Sequence, residues 1–384
     1  MYIPRKDISL RRLSTVSLVT NLWSSGYLKD DLQIVFDKKK TLYKDRVSLT
    51  KKAKDIIQLY NLPSLIIGEV IEFVEWISSD FILYLDSLIN NEFFLHNGDI
   101  GCIVKNIKWD MHGGIDEVET FKNMKYTNNH YNYIISTFFC LEDDIPAMWA
   151  RCSPIYKPFS LKSMYSEEFC SYATFIIYYW TCKVKNRTFR IHILEDPMGL
   201  FNDIRDCSTE LKMLVVSLHI YNIHAFKYFW RQLDEKERVI AIEVLCLIYD
   251  LDDLYVLNDI YDMLKNSVGI ILFVLAQINE QQQLMVIEKC LPQMIVHFWQ
   301  CWQMHHVILP LFETYISFLD ASSYKKLFRR LLMQNGDYCP KEKLLYRMWM
   351  LSPPHLQCLI DDTEKRLMFF GNVENEKENR LFYD

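Results

Sequence analysis

The chain has 384 residues, of which 50% are hydrophobic and 24% charged, and its formal net charge is −6. This composition predicts folded domains with a sizeable core and excludes a disordered chain. Ten glycines and eleven prolines are few for this length, which argues against a turn-rich all-β protein and against glycine loops that bind phosphate. The negative net charge gives no overall indication of nucleic-acid binding.

Near the amino terminus, apolar residues recur every three or four positions from Leu10 to Leu22. This spacing predicts one helical stripe, and the polar residues between them make the segment too weak for a signal-peptide core. Further helical patterns follow, so we predict that residues 1–97 form a helical block. No run reaches the length of about eighteen apolar residues that a membrane span needs.

The first part of this block is basic. Thirteen Lys or Arg stand against five Asp up to Lys54, and Lys38–Lys40 is the densest run. Such an excess can attract nucleic acid or an anionic membrane. No nucleic-acid motif accompanies it, so we interpret it as a solvated helix face and keep the two anionic partners as alternatives.

Residues 98–126 interrupt the helical pattern and are predicted to be a non-repetitive connector. Ile103–Trp109 alternates with period two, which predicts a short strand or extended segment, and residues 110–114 predict a turn. Arg187–Leu194 alternates in the same way and is the second strand candidate. The sequence therefore predicts at most two short strands.

From residue 127 onward helical patterns recur in pairs. Four apolar anchors, Trp230, Leu264, Trp299 and Leu332, are 34, 35 and 33 residues apart. Two short helices cannot bury an apolar stripe alone, whereas stacking on similar pairs buries it. We therefore predict an all-α fold in which residues 127–364 form an elongated α-solenoid-like stack of antiparallel helix pairs.

Two segments between the anchors, Arg238–Tyr249 and Val268–Ile278, are apolar nearly all round. This pattern predicts inner helices. The anchor helices are more amphipathic and are expected to lie to one side. Residues 365–384 are polar without a period and predict a frayed tail.

The sequence Leu141-Glu-Asp-Asp-Ile-Pro-Ala-Met-Trp149 follows an apolar helix. It resembles the inter-helix turn of divergent ankyrin-like or other α-solenoid repeats, whose period is similar to the anchor spacing. The Thr-Pro-Leu-His signature of ankyrin repeats and the signature residues of tetratricopeptide repeats are absent. The resemblance covers residues 127–364, rests on period, and implies a binding scaffold without carrying over any functional residue.

None of the eleven cysteines lies two to four residues from another, so the sequence has no zinc-ribbon or redox pair. Most stand in apolar helical patterns, where free cysteine behaves as a small hydrophobe. We predict free thiols and a reducing, cytoplasmic location. Asn186-Arg-Thr188 fits a glycosylation acceptor, but no other feature indicates secretion.

Three acidic pairs, Asp143-Asp144, Asp252-Asp253 and Asp361-Asp362, are spaced 109 residues apart. Paired carboxylates can bind Mg²⁺ or act as acid and base. Each pair stands where a helix is expected to begin or end, and aspartate at a helix amino terminus caps free N–H groups. We therefore interpret the pairs as helix caps.

Histidine and cysteine positions give no strong catalytic pattern. His219 and His224 do not share a helical face well, and the adjacent His305 and His306 cannot bind one ion from a helix. Cys301 precedes His305 by four residues and is the nearest approach to a nucleophile–base pair. We interpret Cys301 as a buried core residue. Five tryptophans, interpreted as core rather than as a binding platform, are Trp149, Trp180, Trp230, Trp299 and Trp302.

No catalytic, cofactor-binding or metal residue is assigned, and no cofactor is expected. The sequence favours a non-enzymatic scaffold that binds a protein partner along one face of its helices. The alternative is an enzyme with an unrecognised cysteine or carboxylate site.

Overall fold

The computed structural model describes residues 10–25, 27–37, 43–90, 100–110, 112–124, 129–152, 173–189, 204–250, 261–301, 304–333 and 341–361. Within these residues the fold is all-α, with eighteen α-helices and no sheet. This confirms the predicted fold class, while the solenoid-like arrangement remains a prediction.

The helices are α1 Leu10–Ser24, α2 Lys29–Asp37, α3 Tyr43–Gln58, α4 Ser64–Asn90, α5 Ile100–Asn106, α6 Glu117–Asn123, α7 Asn129–Phe138, α8 Ile145–Arg151, α9 Ala173–Val184, α10 Thr209–His219, α11 Ile223–Gln232, α12 Glu235–Asp250, α13 Tyr261–Gln277, α14 Glu280–Gln300, α15 His305–Tyr315, α16 Ala321–Met333, α17 Lys341–Leu351 and α18 Pro354–Gln357. A 3₁₀ turn, Ile316–Phe318, follows α15.

The described residues divide into two compact units. Those within 6–244 and 257–270 form one, called here the amino-terminal unit, and those within 245–256 and 271–361 belong to the other, the carboxy-terminal unit. The predicted domain limits at residues 97 and 126 stay predictions.

In the first part of the amino-terminal unit, α4 packs against α1 and α3, and α5 packs against α1 and α2. The predicted stripe on α1 is confirmed, because Val16, Val19 and Leu22 are buried. The Phe81 ring stacks between Trp23 and Trp109, at centroid distances of 5.0 and 5.6 Å. Apolar burial on this scale stabilises the helices where their propensity alone would not.

The strand predicted at Ile103–Trp109 is wrong. Residues 100–106 form α5, and Ile103 and Val104 are both buried in spite of their adjacent positions. Only an isolated antiparallel bridge joins Trp109 to Ile115. The predicted turn at 110–114 is confirmed, since the Asp110 carboxylate accepts hydrogen bonds from the backbone N–H groups of residues 112 and 114, both at 2.8 Å. Of the second strand candidate, residues 187–189 are irregular and the others lie outside the described residues.

Three helices of the amino-terminal unit end in the same way without a glycine. Cys140, Asn186 and Tyr221 follow α7, α9 and α10 with φ of 52°, 51° and 51°. The next residue then donates its N–H to the carbonyl five positions back, as Leu141 does to Ser136 at 2.9 Å. This is the Schellman arrangement, which satisfies carbonyl groups that the helix end leaves free.

Asn222 connects two of these helices. Its side-chain oxygen accepts the Ala225 N–H at 3.0 Å and so caps α11. Its amide nitrogen donates to the Phe138 carbonyl at 2.7 Å, at the end of α7. Asn222 is only 3% exposed, so its bond to Ala225 is buried and its bond to the Phe138 carbonyl is partly buried.

In the carboxy-terminal unit, α14 packs against α15 and α16, and α15 packs against α17. The anchors Trp230 and Trp299 are 2% and 0% exposed, in the amino-terminal and carboxy-terminal units respectively. Their predicted burial is confirmed, while their equivalence as repeat anchors is still a prediction.

Two helix predictions need correction. Leu264 does not belong to a helix of its own, because α13 runs without a break from residue 261 to residue 277. Helix α12 is not an inner helix, because Val239 is 43% and Leu247 is 60% exposed. One face of α12 is buried, and the residues on that face include Ala241, Ile242, Leu245 and Cys246.

We predict that Trp230→Ala and Trp299→Ala each lower the free energy of unfolding by about 3–5 kcal/mol, because each removes a fully buried indole and leaves a cavity. Urea denaturation of each variant would measure the loss. Trp149→Ala is the control, since Trp149 is partly exposed and its loss should be smaller. A loss below about 1 kcal/mol at both anchors would contradict their burial.

Asn222→Ala should destabilise the amino-terminal unit by about 2–4 kcal/mol, from a lost cap and a buried carbonyl left without its donor. Asn222→Asp retains the capping oxygen but puts a carboxylate oxygen in place of the donor to the Phe138 carbonyl, so its loss at neutral pH should be at least as large as that of Asn222→Ala. Asn279→Ala, which removes the exposed capping box of α14, provides the control at about 1 kcal/mol. Equal losses for Asn222→Ala and Asn279→Ala would show that the bond to α7 contributes nothing.

Candidate interaction groove

The acidic pairs take part in no described cation site. Asp144 occupies the N-cap position of α8, as predicted, but its side chain makes no capping hydrogen bond. Asp143 is exposed and Asp361 is the last described residue, while residues 252–253 and Asp362 lie outside the described part. Among the described residues, no group of three or more His, Cys, Asp or Glu is placed to hold a metal ion.

The Cys301 and His305 positions are explained by packing. Cys301 is buried at the C-cap of α14, where its N–H donates to the His297 carbonyl at 3.1 Å. The Nε2 atom of His305 lies 2.8 Å from the Trp299 carbonyl. In the other unit, the His224 ring meets Phe139 edge-on, with centroids 5.2 Å apart. The burial predicted for Cys301 is confirmed.

The tryptophans behave mainly as core residues. Trp180, Trp230 and Trp299 are all at most 2% exposed. Trp149 is partly exposed, and the Lys185 Nζ lies 5.0 Å from its ring centroid. Trp302 lies outside the described residues. The core interpretation therefore holds for the three buried rings.

Four basic residues of the amino-terminal block, Arg11, Arg12, Lys52 and Lys54, contact other side chains within the fold. Arg11 pairs with Glu69 and Lys52 with Asp31, each at 2.5 Å. Lys54 also forms a salt bridge with Glu75, and the Arg12 guanidinium lies 5.5 Å from the centroid of the Phe73 ring. These pairs favour the solvated-face interpretation, although Lys38–Lys40 lie outside the described residues.

A polar cluster joins three elements of the amino-terminal unit. Lys183 on α9 lies 2.8 Å from both Glu142, in the turn after α7, and the Tyr228 hydroxyl on α11. Its ammonium group also lies 4.8 Å from the centroid of the Trp180 ring. Burial, followed by the charge of Glu142, raises the pKa of Tyr228. The protonated Tyr228 phenol and the ion pair of Lys183 with Glu142 connect α9, α11 and the turn after α7. This cluster of three side chains is called the clasp.

The Cys140 thiol, which lies beside the clasp, has low reactivity. Cys140 is buried, and its sulfur accepts a hydrogen bond from the Trp180 indole N–H at 3.3 Å. Burial raises the pKa of the Cys140 thiol to about 12. Because the thiolate is the nucleophilic form, this cysteine is unsuited to covalent catalysis at neutral pH.

A groove in the carboxy-terminal unit has a different character. It encloses about 110 Å³ between α14, the 3₁₀ turn and α16. Its lining from α14 is Glu288, Lys289, Pro292, Gln293 and Val296, and from the rest of the unit it is Phe318, Leu319, Ser323, Lys326, Leu327 and Arg330. The lining therefore combines apolar side chains, of which Val296, Leu319 and Leu327 are buried, with charged side chains.

Helical spacing explains why these side chains meet. Lys289 and Gln293 are four residues apart on α14, and Lys326 and Arg330 are four apart on α16. Residues at this spacing share one helix face. Because α14 packs against α16, the two faces meet at the groove.

Gln293, which lines the groove, has a buried polar atom without a hydrogen-bond partner among the described residues. The Gln293 Oε1 is buried and accepts no hydrogen bond from the described residues. A buried acceptor left in this way costs about 1–3 kcal/mol.

A neutral histidine lies in the interior of the same region. His297, one turn beyond Gln293 on α14, is 8% exposed. Burial and the nearby charge of Arg330 lower the pKa of His297 to about 4. The His297 side chain is therefore held in its neutral form at neutral pH.

Sequence reasoning missed every polar residue of this groove. The local signal is the basic pair Lys326 and Arg330 at four-residue spacing on α16, a pattern that is also ordinary on a solvated helix face. Glu288 and Lys289 gave no signal, because their partners lie more than thirty residues away in the sequence.

Comparison with known proteins adds no assignment. No protein-family model matches the chain, and no curated protein sequence matches it significantly. Among the described residues, no helix combines the length and the apolar character that crossing a membrane requires.

We predict that the carboxy-terminal unit loses stability as the pH falls below about 6.5, the usual histidine pKa in an unfolded chain. The pKa of His297 is lower in the folded protein than in the unfolded chain. Below about pH 6.5 protons therefore bind the unfolded chain preferentially, and the free energy of unfolding decreases as the pH falls. The loss should approach about 3 kcal/mol near pH 4.

The measurement is urea denaturation at a series of pH values. His297→Gln should reduce the slope of unfolding free energy against pH, whatever its stability at pH 7. His355→Gln, at an exposed position of the same unit, should leave the slope unchanged. Identical slopes for wild type and His297→Gln would show that His297 is not buried in its neutral form.

Proposed function

We propose that the protein is a non-enzymatic scaffold that binds other proteins, and that the groove between α14 and α16 is one of its contact sites. The observation that carries this proposal is the lining of the groove. It combines apolar side chains with three cations and one anion. Binding sites commonly pair an apolar base with a few polar groups that fix orientation.

The surface of the same unit supports this interpretation. Phe318, at the groove, is 36% exposed, and Tyr346 and Met350 on α17 are 38% and 55% exposed. Tyr346 and Met350 are one helical turn apart, so they share a face. Aromatic residues and methionine are enriched where proteins contact each other.

The helix order gives further support to a repeat scaffold. In both units, packed helices are near neighbours in the chain, as α7, α8 and α9 are in one and α14, α15 and α16 are in the other. Local pairing of this kind is what stacked helical repeats require. The resemblance to ankyrin-like or other α-solenoid repeats remains part of the proposal.

The enzyme alternative gains no comparable support from the described residues. Cys140 is held as a thiol, and the Lys183–Glu142–Tyr228 cluster is accounted for as a clasp. A cytoplasmic location for the scaffold also remains a proposal.

The test is quantitative affinity capture from native lysate with the full chain and two matched variants. Ser323→Trp places an indole in the groove, whereas Ser322→Trp adds the same bulk at an exposed neighbour outside it. We expect partners captured by wild type to be retained by Ser322→Trp and lost by Ser323→Trp. Binding should then be reproduced with purified proteins.

Two results would contradict the proposal. Capture of the same partners by both variants would remove the groove from the interface. Failure of wild type to capture any specific protein, together with turnover of a small molecule by the pure chain, would replace the scaffold by an enzyme.

A further inference from the structure

Ser14, on α1, follows two adjacent arginines. Arg11 and Arg12 stand three and two positions before it. The chain has one other adjacent arginine pair, Arg329-Arg330, and that pair is followed by leucines. Serine kinases that select basic substrates hold such guanidinium groups with carboxylates beside the catalytic cleft. Two arginines at these positions are therefore a recognition signal for that class of enzyme.

The Ser14 hydroxyl is accessible and uncommitted. The side chain is exposed, and it makes no hydrogen bond with the residues that the structure describes. The neighbouring Thr15 is buried, and its hydroxyl donates to the Arg11 carbonyl at 3.0 Å. The Ser17 hydroxyl accepts a hydrogen bond from the Asn21 amide at 3.4 Å. Of these three hydroxyls, only that of Ser14 is free to react.

The fold holds both arginines against α4. Arg11 lies 2.5 Å from a carboxylate oxygen of Glu69, and the Arg12 guanidinium lies 5.5 Å from the centroid of the Phe73 ring. Glu69 thus binds Arg11 with the same chemical group that a kinase would use. The arginines become available when the first turns of α1 separate from α4, and helix ends are the parts of a fold that open most easily. Access to Ser14 therefore depends on the contact between α1 and α4.

A phosphate on Ser14 would alter this contact. Arg11 and Ser14 are three residues apart, a spacing that brings side chains together on a helix. A phosphate carries a charge of about −1.5 to −2 at pH 7 and forms strong charge-assisted hydrogen bonds with arginine, so it competes with Glu69 for Arg11. The added negative charge also stands near a carboxylate that shares this arginine, which weakens the attachment of α1 further.

We propose that Ser14 is the phosphorylation site of an arginine-directed serine kinase, and that the modification releases the first turns of α1 from α4. A nucleoside triphosphate supplies the phosphoryl group. The Ser14 Oγ forms a bond to the γ-phosphorus, and the bond from that phosphorus to the bridging oxygen breaks. The nucleoside diphosphate leaves, and the hydroxyl proton passes to a carboxylate of the kinase and then to solvent.

The experiment incubates the folded full-length protein with a purified arginine-directed serine kinase and ATP, and locates the phosphate by mass spectrometry. We expect phosphate on Ser14. Ser14→Ala should lower the total incorporation by about tenfold or more, whereas Ser17→Ala, at another exposed serine of α1, should leave it unchanged. Arg11→Gln should lower the rate at Ser14 by about tenfold, because it removes a charge-assisted contact with the kinase although it also frees α1.

Glu69→Gln tests the part played by α4. It weakens the hold on Arg11 without changing the sequence around Ser14, so the rate should rise by about threefold or more. Glu75→Gln is the matched control, because it removes the ion pair between α4 and Lys54 on α3 and should change the rate by less than about twofold. Circular dichroism and thermal unfolding establish that each variant is folded.

Amide hydrogen exchange measures the release. Phosphorylation should speed the exchange of residues 11–16 by about fivefold or more and leave α7 unchanged. If phosphate is absent from Ser14 in both wild type and Glu69→Gln, Ser14 is not the site and the inference is wrong. Equal rates for wild type and Glu69→Gln would overturn the control of access by α4. Unchanged exchange in α1 after phosphorylation would overturn its release.

Discussion

The amino-terminal unit depends on how its helices satisfy their terminal backbone groups. Asn222 holds the carbonyl of Phe138 at the end of α7 and caps α11 at the same time. Each helix end leaves several N–H or C=O groups without partners, and burial makes an unmet group costly. One buried amide therefore fixes two helix ends and the angle between their elements. The helix pairs of this unit can pack their apolar faces closely because the polar ends are already satisfied.

The same constraint explains which features were predictable. Helical stripes and the burial of Trp230 and Trp299 follow from apolar spacing, which the sequence displays directly. The limits of the helices do not follow from the sequence, because the glycine that usually marks a helix end is absent. Cys140 and Tyr221 adopt the left-handed conformation at the ends of their helices instead. Conversely, Gly269 lies within α13 and Pro292 within α14, where neither ends the helix. The separate Leu264 helix was predicted wrongly because local spacing does not reveal that α13 continues through these positions.

The groove lay beyond sequence reasoning for a different reason. Its polar residues come from α14 and α16, and no local pattern links Gln293 to Arg330. Their approach follows from the packing of two helices across α15 and the 3₁₀ turn. Each face alone has an ordinary pattern of charged and apolar residues on a solvated helix. The site is therefore a property of tertiary packing, and its residue types become informative only when they are assembled.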